Sequence, residues 1–218
     1  MAPTICTIQG NIAVGKSTLV SQLKTRLESR GKRVCYLQEP VSIWDTITDE
    51  HGKPILALYY EDQHAYAFSF QMMAYISRLS IVRKALAEDY DLIIAERSLA
   101  TDKNIFAKML YDEGKIKHVE HEIYQRWCDE FQIGFPKERI VYLRSSPEVA
   151  HHRVHVRGRE GESIPLEYLQ NCHKYHEDWL AKADGVLTID GDVDLTETPD
   201  YVDERVKMIE KFIFDEQE

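Results

Sequence analysis

The sequence predicts an α/β fold, a five-stranded parallel sheet flanked by helices, and three observations carry that prediction. Five short apolar runs rich in β-branched residues, TICTIQ, RVCYL, LIIAE, RIVYL and GVLTI, recur along the chain. Longer stretches between them repeat their apolar residues at helical spacing, as a parallel sheet covered by helices requires. The first run also passes through a glycine-bearing loop straight into a helix. With 218 residues, 44% hydrophobic and 29% charged, the chain is expected to fold throughout as one domain, 1–218.

TICTIQ is followed by Gly10, Asn11, Ile12, Ala13, Val14, Gly15, Lys16 and Ser17, the pattern GxxxxGK[ST] in its required strand-to-helix setting, with Thr18 continuing it. Such a loop curls so that successive backbone N–H groups and the helix N-terminus face phosphates. Lys16 adds a point charge near the β and γ oxygens, and Ser17 is the expected Mg²⁺ ligand. The following helix, 16–30, carries Leu19, Val20, Leu23 and Leu27 on one face and is expected to end at Gly31.

The second strand ends in Glu39-Pro40-Val41, with Trp44 close behind. Neighbouring parallel strands deliver their ends to one edge, so Glu39 is expected in the same crevice as the phosphate loop. There a carboxylate can accept the proton of an attacking hydroxyl. A long helix is predicted over 63–88. The aromatics Tyr59, Tyr60, Tyr66, Phe68, Phe70 and Tyr75 are ordinary core at that spacing, or in part the lining of a pocket for a flat base.

LIIAE ends in Glu96-Arg97-Ser98. An acid at this edge holds Mg²⁺ through water in phosphate-loop enzymes, and here that acid is Glu96. Arg97 can contact the transferring phosphate or hold a neighbouring carboxylate ionised. After RIVYL, Ser146 and Pro147 read as cap and first residue of a helix. Arg153 and Arg157 share a face of that helix, and Arg159 extends into a loop, 156–163, expected to be mobile. The cluster reads as an arginine-rich lid closing on a triphosphate. His151 and His155 stand four apart, but without the glutamate of HExxH no metal site is expected. After GVLTI, 190–198 reads as a surface loop before a final amphipathic helix.

The formal net charge of -10 argues against a broad nucleic-acid surface. No run of 18 apolar residues suggests a membrane span, and MAPTICTIQG leads directly into a strand without a leader, so a cytoplasmic or nuclear protein is expected. Cys6, Cys35, Cys128 and Cys172 are scattered, with no CxxC pair, and read as reduced and mostly buried.

Along nearly its whole length the sequence resembles the deoxynucleoside kinases of the deoxycytidine and deoxyguanosine kinase group. The segments that carry the resemblance are GNIAVGKST, QEPVSIW, Phe70-Gln71, ISRL, ERSLATDKNIFA, YLRSSPEVA, RGREGES, IPLEYLQNCHKYHEDWL and LTID. The resemblance implies a P-loop kinase fold and transfer of the γ-phosphoryl of ATP, or another nucleoside triphosphate, to the 5′-hydroxyl of a 2′-deoxynucleoside. It implies that Glu39 is the base for that hydroxyl with Arg97 beside it, and that Tyr60 and Glu162 hold the 3′-hydroxyl. It further implies that Gln71 hydrogen-bonds the base while Trp44, Leu56, Phe70 and Phe106 shape its pocket. Arg78 and Asp102 match a charged pair of the group, which implies deoxycytidine or a purine deoxynucleoside over thymidine. Tyr59 stands where the deoxycytidine kinases carry methionine, and Gly161 where an acid is common. The adenine of the donor is expected against 190–195, and a homodimer through 63–88 and 119–131.

A nucleoside monophosphate kinase shares the fold, loop and lid. Its acceptor is already anionic, and a carboxylate such as Glu39 at the reacting end would repel it. A nucleotide-dependent switch that hydrolyses slowly is the alternative from outside these transferases.

Overall fold

The computed structural model of the chain describes residues 3–27, 31–159 and 162–214. Its five strands are β1 (Thr4–Gln9), β2 (Val34–Leu37), β3 (Leu92–Glu96), β4 (Glu138–Arg144) and β5 (Val186–Asp190). They lie in the order β2-β3-β1-β4-β5, every pair parallel. The helices are α1 (Lys16–Leu27), α2 (Val41–Trp44), α3 (Ile55–Glu61), α4 (Gln63–Leu86), α5 (Leu99–Thr101), α6 (Lys108–Asp112), α7 (His118–Gln132), α8 (Pro147–Arg157), α9 (Leu166–Leu180) and α10 (Asp200–Phe214). A π-helical segment, Asp102–Ala107, joins α5 to α6.

Strand character follows position in the sheet. All five residues of β3 are buried, and so are the last five of β1, because these inner strands are covered on both faces. On one face Cys6, Ile8, Leu19, Leu23, Leu143 and Ile209 belong to the main core, with α1, α8, α9 and α10 packed over it. On the other, Ile5 and Ile93 meet Ala85 of α4. The edge strands β2 and β5 are only partly buried.

The five expected strands and the main helices are present, with changes at their ends. Helix 16–30 is α1 to Leu27, while 28–30 lie outside the described residues. The long helix stops at Leu86 instead of Glu88. Asp62 caps its start by accepting from the Ala65 N–H. Ser146 caps α8 with Pro147 behind it, as the sequence predicts. That helix runs to Arg157 and ends on the left-handed Gly158, so 156 and 157 of the expected loop are helical, and 160–161 lie outside the described residues.

Candidate active site

The carboxyl edges of β1, β2 and β3 converge on a cleft of about 540 Å³. The loop after β1 passes so close to β4 that a Cβ on Gly10 would sit 2.6 Å from the Leu143 carbonyl oxygen, at φ +148°. Only glycine fits there. Asn11 ties the loop outward: its Nδ2 donates to the Leu169 carbonyl at 2.8 Å, and its Oδ1 accepts from the Ile12 N–H at 2.8 Å. The Lys16 ammonium donates to the Asn11 carbonyl at 2.6 Å. Burial, reinforced by Arg97, pulls the Lys16 amine down to about 7.

Beside the loop, the Ser17 hydroxyl donates to Glu96 Oε2 at 2.9 Å, so the two expected metal-side oxygens are neighbours. Hydroxyl and carboxylate are the hard oxygen donors that Mg²⁺ takes together with phosphate oxygens and water. The donor set therefore fits that ion.

Glu39 stands at the end of β2 and is the centre of the site's charge. Its Oε1 accepts from Arg97 Nη1 and, at 3.1 Å, from Arg78 Nη2. Among the described residues no hydrogen bond reaches Oε2. Burial works to raise the Glu39 carboxyl, but Arg97, Arg78 and Lys16 outweigh it and hold it down at about 2. Arg97 is carried in the left-handed region, φ 62°, its N–H donating to the Ile8 carbonyl at 3.0 Å and its guanidinium lying 4.8 Å from the Phe106 ring centroid. A non-glycine residue in that region costs about 1–3 kcal/mol, and such strain gathers where a side chain must be aimed. Ser98 then caps α5 through a reciprocal pair with Thr101.

The far part of the cleft is aromatic. Tyr59 stacks on Phe70 at 4.6 Å, Trp44 meets Phe70 edge-on at 5.3 Å, and Trp44 Nε1 donates to Ser77 at 2.9 Å. Gln71 lines this part almost fully buried, and its Oε1 has no partner. A buried amide oxygen without a partner is uncommon, because leaving it unsatisfied is costly.

Most residues singled out in the sequence line the cleft together: Ile12, Ala13, Gly15, Lys16, Ser17 and Thr18 from the loop, Glu39, Trp44, Leu56, Tyr60, Phe70, Gln71, Glu96, Arg97, Asp102 and Phe106 from the sheet edge and helices, and Arg157, Arg159 and Glu162 from the lid. Gly10, Asn11 and Val14 shape the loop from behind. Arg153 does not reach the cleft wall. Its Nη1 donates to the Gly191 carbonyl at 2.6 Å and the Val14 carbonyl at 3.4 Å, fastening the loop after β5 to the phosphate loop. Glu162 is engaged by Arg157 and lies 3.9 Å from Arg159. Arg78 is also behind the wall, its charge stabilised by Asp102 and Glu39 against burial. The rings of His151 and His155 meet edge to face at 4.4 Å, and no metal-binding group of three or more His, Cys, Asp or Glu residues occurs among the described residues.

Sequence reasoning missed Tyr168, whose hydroxyl lies 2.9 Å from that of Tyr59 in the cleft wall. Its signal in sequence is that of any core residue on an amphipathic helix.

Among the described residues no helix is long and apolar enough to cross a membrane. Residues 5–214 match the deoxynucleoside kinase family. The chain is 35% identical to deoxycytidine kinase of Homo sapiens over 195 residues, 79% of this chain and 74% of that one. To the mitochondrial deoxyguanosine kinase of Xenopus laevis it is 32% identical over 195 residues, 80% of this chain and 72% of that one. To a probable deoxycytidine kinase of fowlpox virus (strain NVSL) it is 35% identical over 197 residues, 86% and 78% of the two chains. A phosphate loop, a carboxylate held ionised beside it and an aromatic pocket thus occur in a chain that belongs to the deoxynucleoside kinase family, phosphotransferases of nucleotide salvage.

Proposed function

We propose that this kinase transfers the γ-phosphoryl group of ATP to the 5′-hydroxyl of deoxycytidine or a purine deoxynucleoside, with Glu39 as the base. The observation that carries the reading is the division of labour within one carboxylate. Oε1 of Glu39 is pinned by Arg97 and Arg78, and Oε2 is left for a hydroxyl donor beside Lys16. A carboxyl held at about 2 is a weak base, which suits a loose transition state in which the proton leaves late and positioning matters more than basicity. As the nucleoside oxygen bonds to the γ-phosphorus, the bond to the β-phosphate oxygen breaks, ADP leaves, and the hydroxyl proton passes to Glu39 Oε2.

The loop N–H groups and Lys16 hold the triphosphate, and Arg157 and Arg159 meet its charge from the lid. Ser17, and Glu96 through water, would hold Mg²⁺, which would supply neutralisation of the phosphate charge. Tyr60 and Glu162 are assigned to the 3′-hydroxyl, for which Glu162 exchanges its arginine partners. Trp44, Leu56, Phe70 and Phe106 enclose the base, and Gln71 pairs with its edge. Asp102, backed by Arg78, favours an exocyclic amine over the thymine oxygen at the same edge. The relatives named for deoxycytidine and deoxyguanosine support this choice. Residues 190–195 are assigned to adenine, the protein to the cytoplasm, and α4 with α7 to a homodimer. Both helices expose apolar side chains, Ile76 on the first and Val119, Ile123 and Trp127 on the second.

The test is a panel of the four deoxynucleosides and dTMP with Mg-ATP. We expect kcat/KM for deoxycytidine or a purine deoxynucleoside to exceed that for thymidine by about tenfold or more, the worth of one mispaired polar contact. The double change Arg78→Met, Asp102→Ala is expected to move the ratio toward thymidine. Thymidine preference, or phosphorylation of dTMP alone, overturns the assignment.

A further inference from the structure

Arg78 joins two carboxylates that do different work. From the middle of α4, fully buried, it spends four of the five N–H bonds of a guanidinium on protein. Nε donates to Asp102 Oδ2 at 2.9 Å, and Nη2 to Asp102 Oδ1 at 3.4 Å and to Glu39 Oε1 at 3.1 Å. Nη1 donates to the Glu96 carbonyl at 2.8 Å. Asp102 lines the cleft from the π-helical segment and Glu39 lines it from the end of β2, whereas Arg78 stands behind the lining. The fork is planar and rigid, so Nε cannot follow a displaced Asp102 without carrying Nη2 away from Glu39.

We propose that Arg78 is a positioning residue that couples recognition of the base to the aim of Glu39. This rests on the reading of Glu39 as base and Asp102 as base-edge contact. When the bound base hydrogen-bonds Asp102 in its observed place, the fork keeps Oε1 fixed and Oε2 turned toward the hydroxyl. When a base pushes Asp102 aside or leaves it unmatched, Glu39 moves with the fork. Base identity then appears in the rate of phosphoryl transfer as well as in binding. Displacements of an ångström at a reacting group can cost about a hundredfold in rate, so the lever is large enough. A guanidinium that served only as a strut, or Asp102 acting only as a base contact, would place the discrimination in KM.

The first test uses the unaltered enzyme: single-turnover rate constants and KM for the four deoxynucleosides at saturating Mg-ATP. The proposal expects the rate constants to spread by about tenfold or more across bases, and equal rate constants with all discrimination in KM overturn it. The second compares Asp102→Asn, Arg78→Lys and the pair with the best substrate. Asp102→Asn keeps the shape and an acceptor, and Arg78→Lys keeps the charge while losing the fork. Each is expected to slow transfer about tenfold or more, and the pair hardly further, because either change alone breaks the bridge. Independent, multiplying effects on the rate, or Asp102→Asn acting on KM alone, overturn the coupling. If the unaltered enzyme phosphorylates no deoxynucleoside, the underlying functional reading falls first, and that outcome is distinct from the others.

Discussion

Replacing Glu39 separates its two roles. In Glu39→Gln the side chain keeps its shape and an oxygen to accept from Arg97, but loses the charge. Arg78 retains Asp102, so the electrostatic loss falls on Arg97, whose only carboxylate within salt-bridge distance among the described residues is Glu39. Truncating one partner of a buried pair costs about 3–5 kcal/mol. With the amide still accepting a hydrogen bond, roughly 2–3 kcal/mol is expected. For a chain of this size that lowers the unfolding midpoint by roughly 4–12 °C. Turnover is expected to fall by about 10²–10⁴, the usual contribution of a general base. ATP binding should survive, because the loop and the lid are untouched and Lys16 keeps its place, losing only the nearby charge that helps keep it protonated. The assays are kcat at saturating deoxynucleoside well below the midpoint, calorimetric titration with Mg-ATP, and thermal denaturation. A lowered midpoint with kcat within about twofold of the original refutes the base and leaves Glu39 as a structural anion. Loss of ATP binding along with turnover refutes the division of roles in another way. The pH dependence has a definite sign. A carboxyl lowered from 4.5 to about 2 contributes stability that is present above 4.5 and lost as pH falls toward 2, so the original enzyme should lose more stability over that window than Glu39→Gln.

Lys16, lowered to about 7, loses its charge in the free enzyme as pH rises through neutrality, whereas bound triphosphate restores it. Calorimetry at pH 8 in buffers of different ionisation enthalpy should therefore show proton uptake on ATP binding, and its absence would contradict a buried amine at this position. Gly10→Ala places a Cβ 2.6 Å from the Leu143 carbonyl and should cost about 1–3 kcal/mol and weaken ATP binding. Gly15→Ala, at φ +96° with nothing within 4 Å, should cost backbone strain alone, and thermal denaturation ranks the two. If the proposed homodimer forms through α7, Ile123→Glu with Trp127→Glu should convert it to a folded monomer in sedimentation, and an unchanged sedimentation coefficient would refute that interface.

The sheet and the cleft were legible to different depths, and the reason is the range of the forces involved. Strand β3 announces itself because burial on both faces leaves a continuous apolar run up to its terminal acid, and the phosphate loop because Gly10 faces a carbonyl that excludes any side chain. Both constraints are written into consecutive residues. The order β2-β3-β1-β4-β5 is not, because it depends on pairing between segments far apart in the chain. The same distinction runs through the site. Glu39 and Arg97 could be placed on one edge because each ends a strand. Whether Arg78 and Arg153 face a ligand or the protein depends on what lies across the cleft, and both proved to be fastened to the protein. For Arg78 this changes the chemistry. A guanidinium with one N–H to spare reads a base poorly by itself, but it can carry the reading from Asp102 to Glu39, the carboxylate proposed to take the proton.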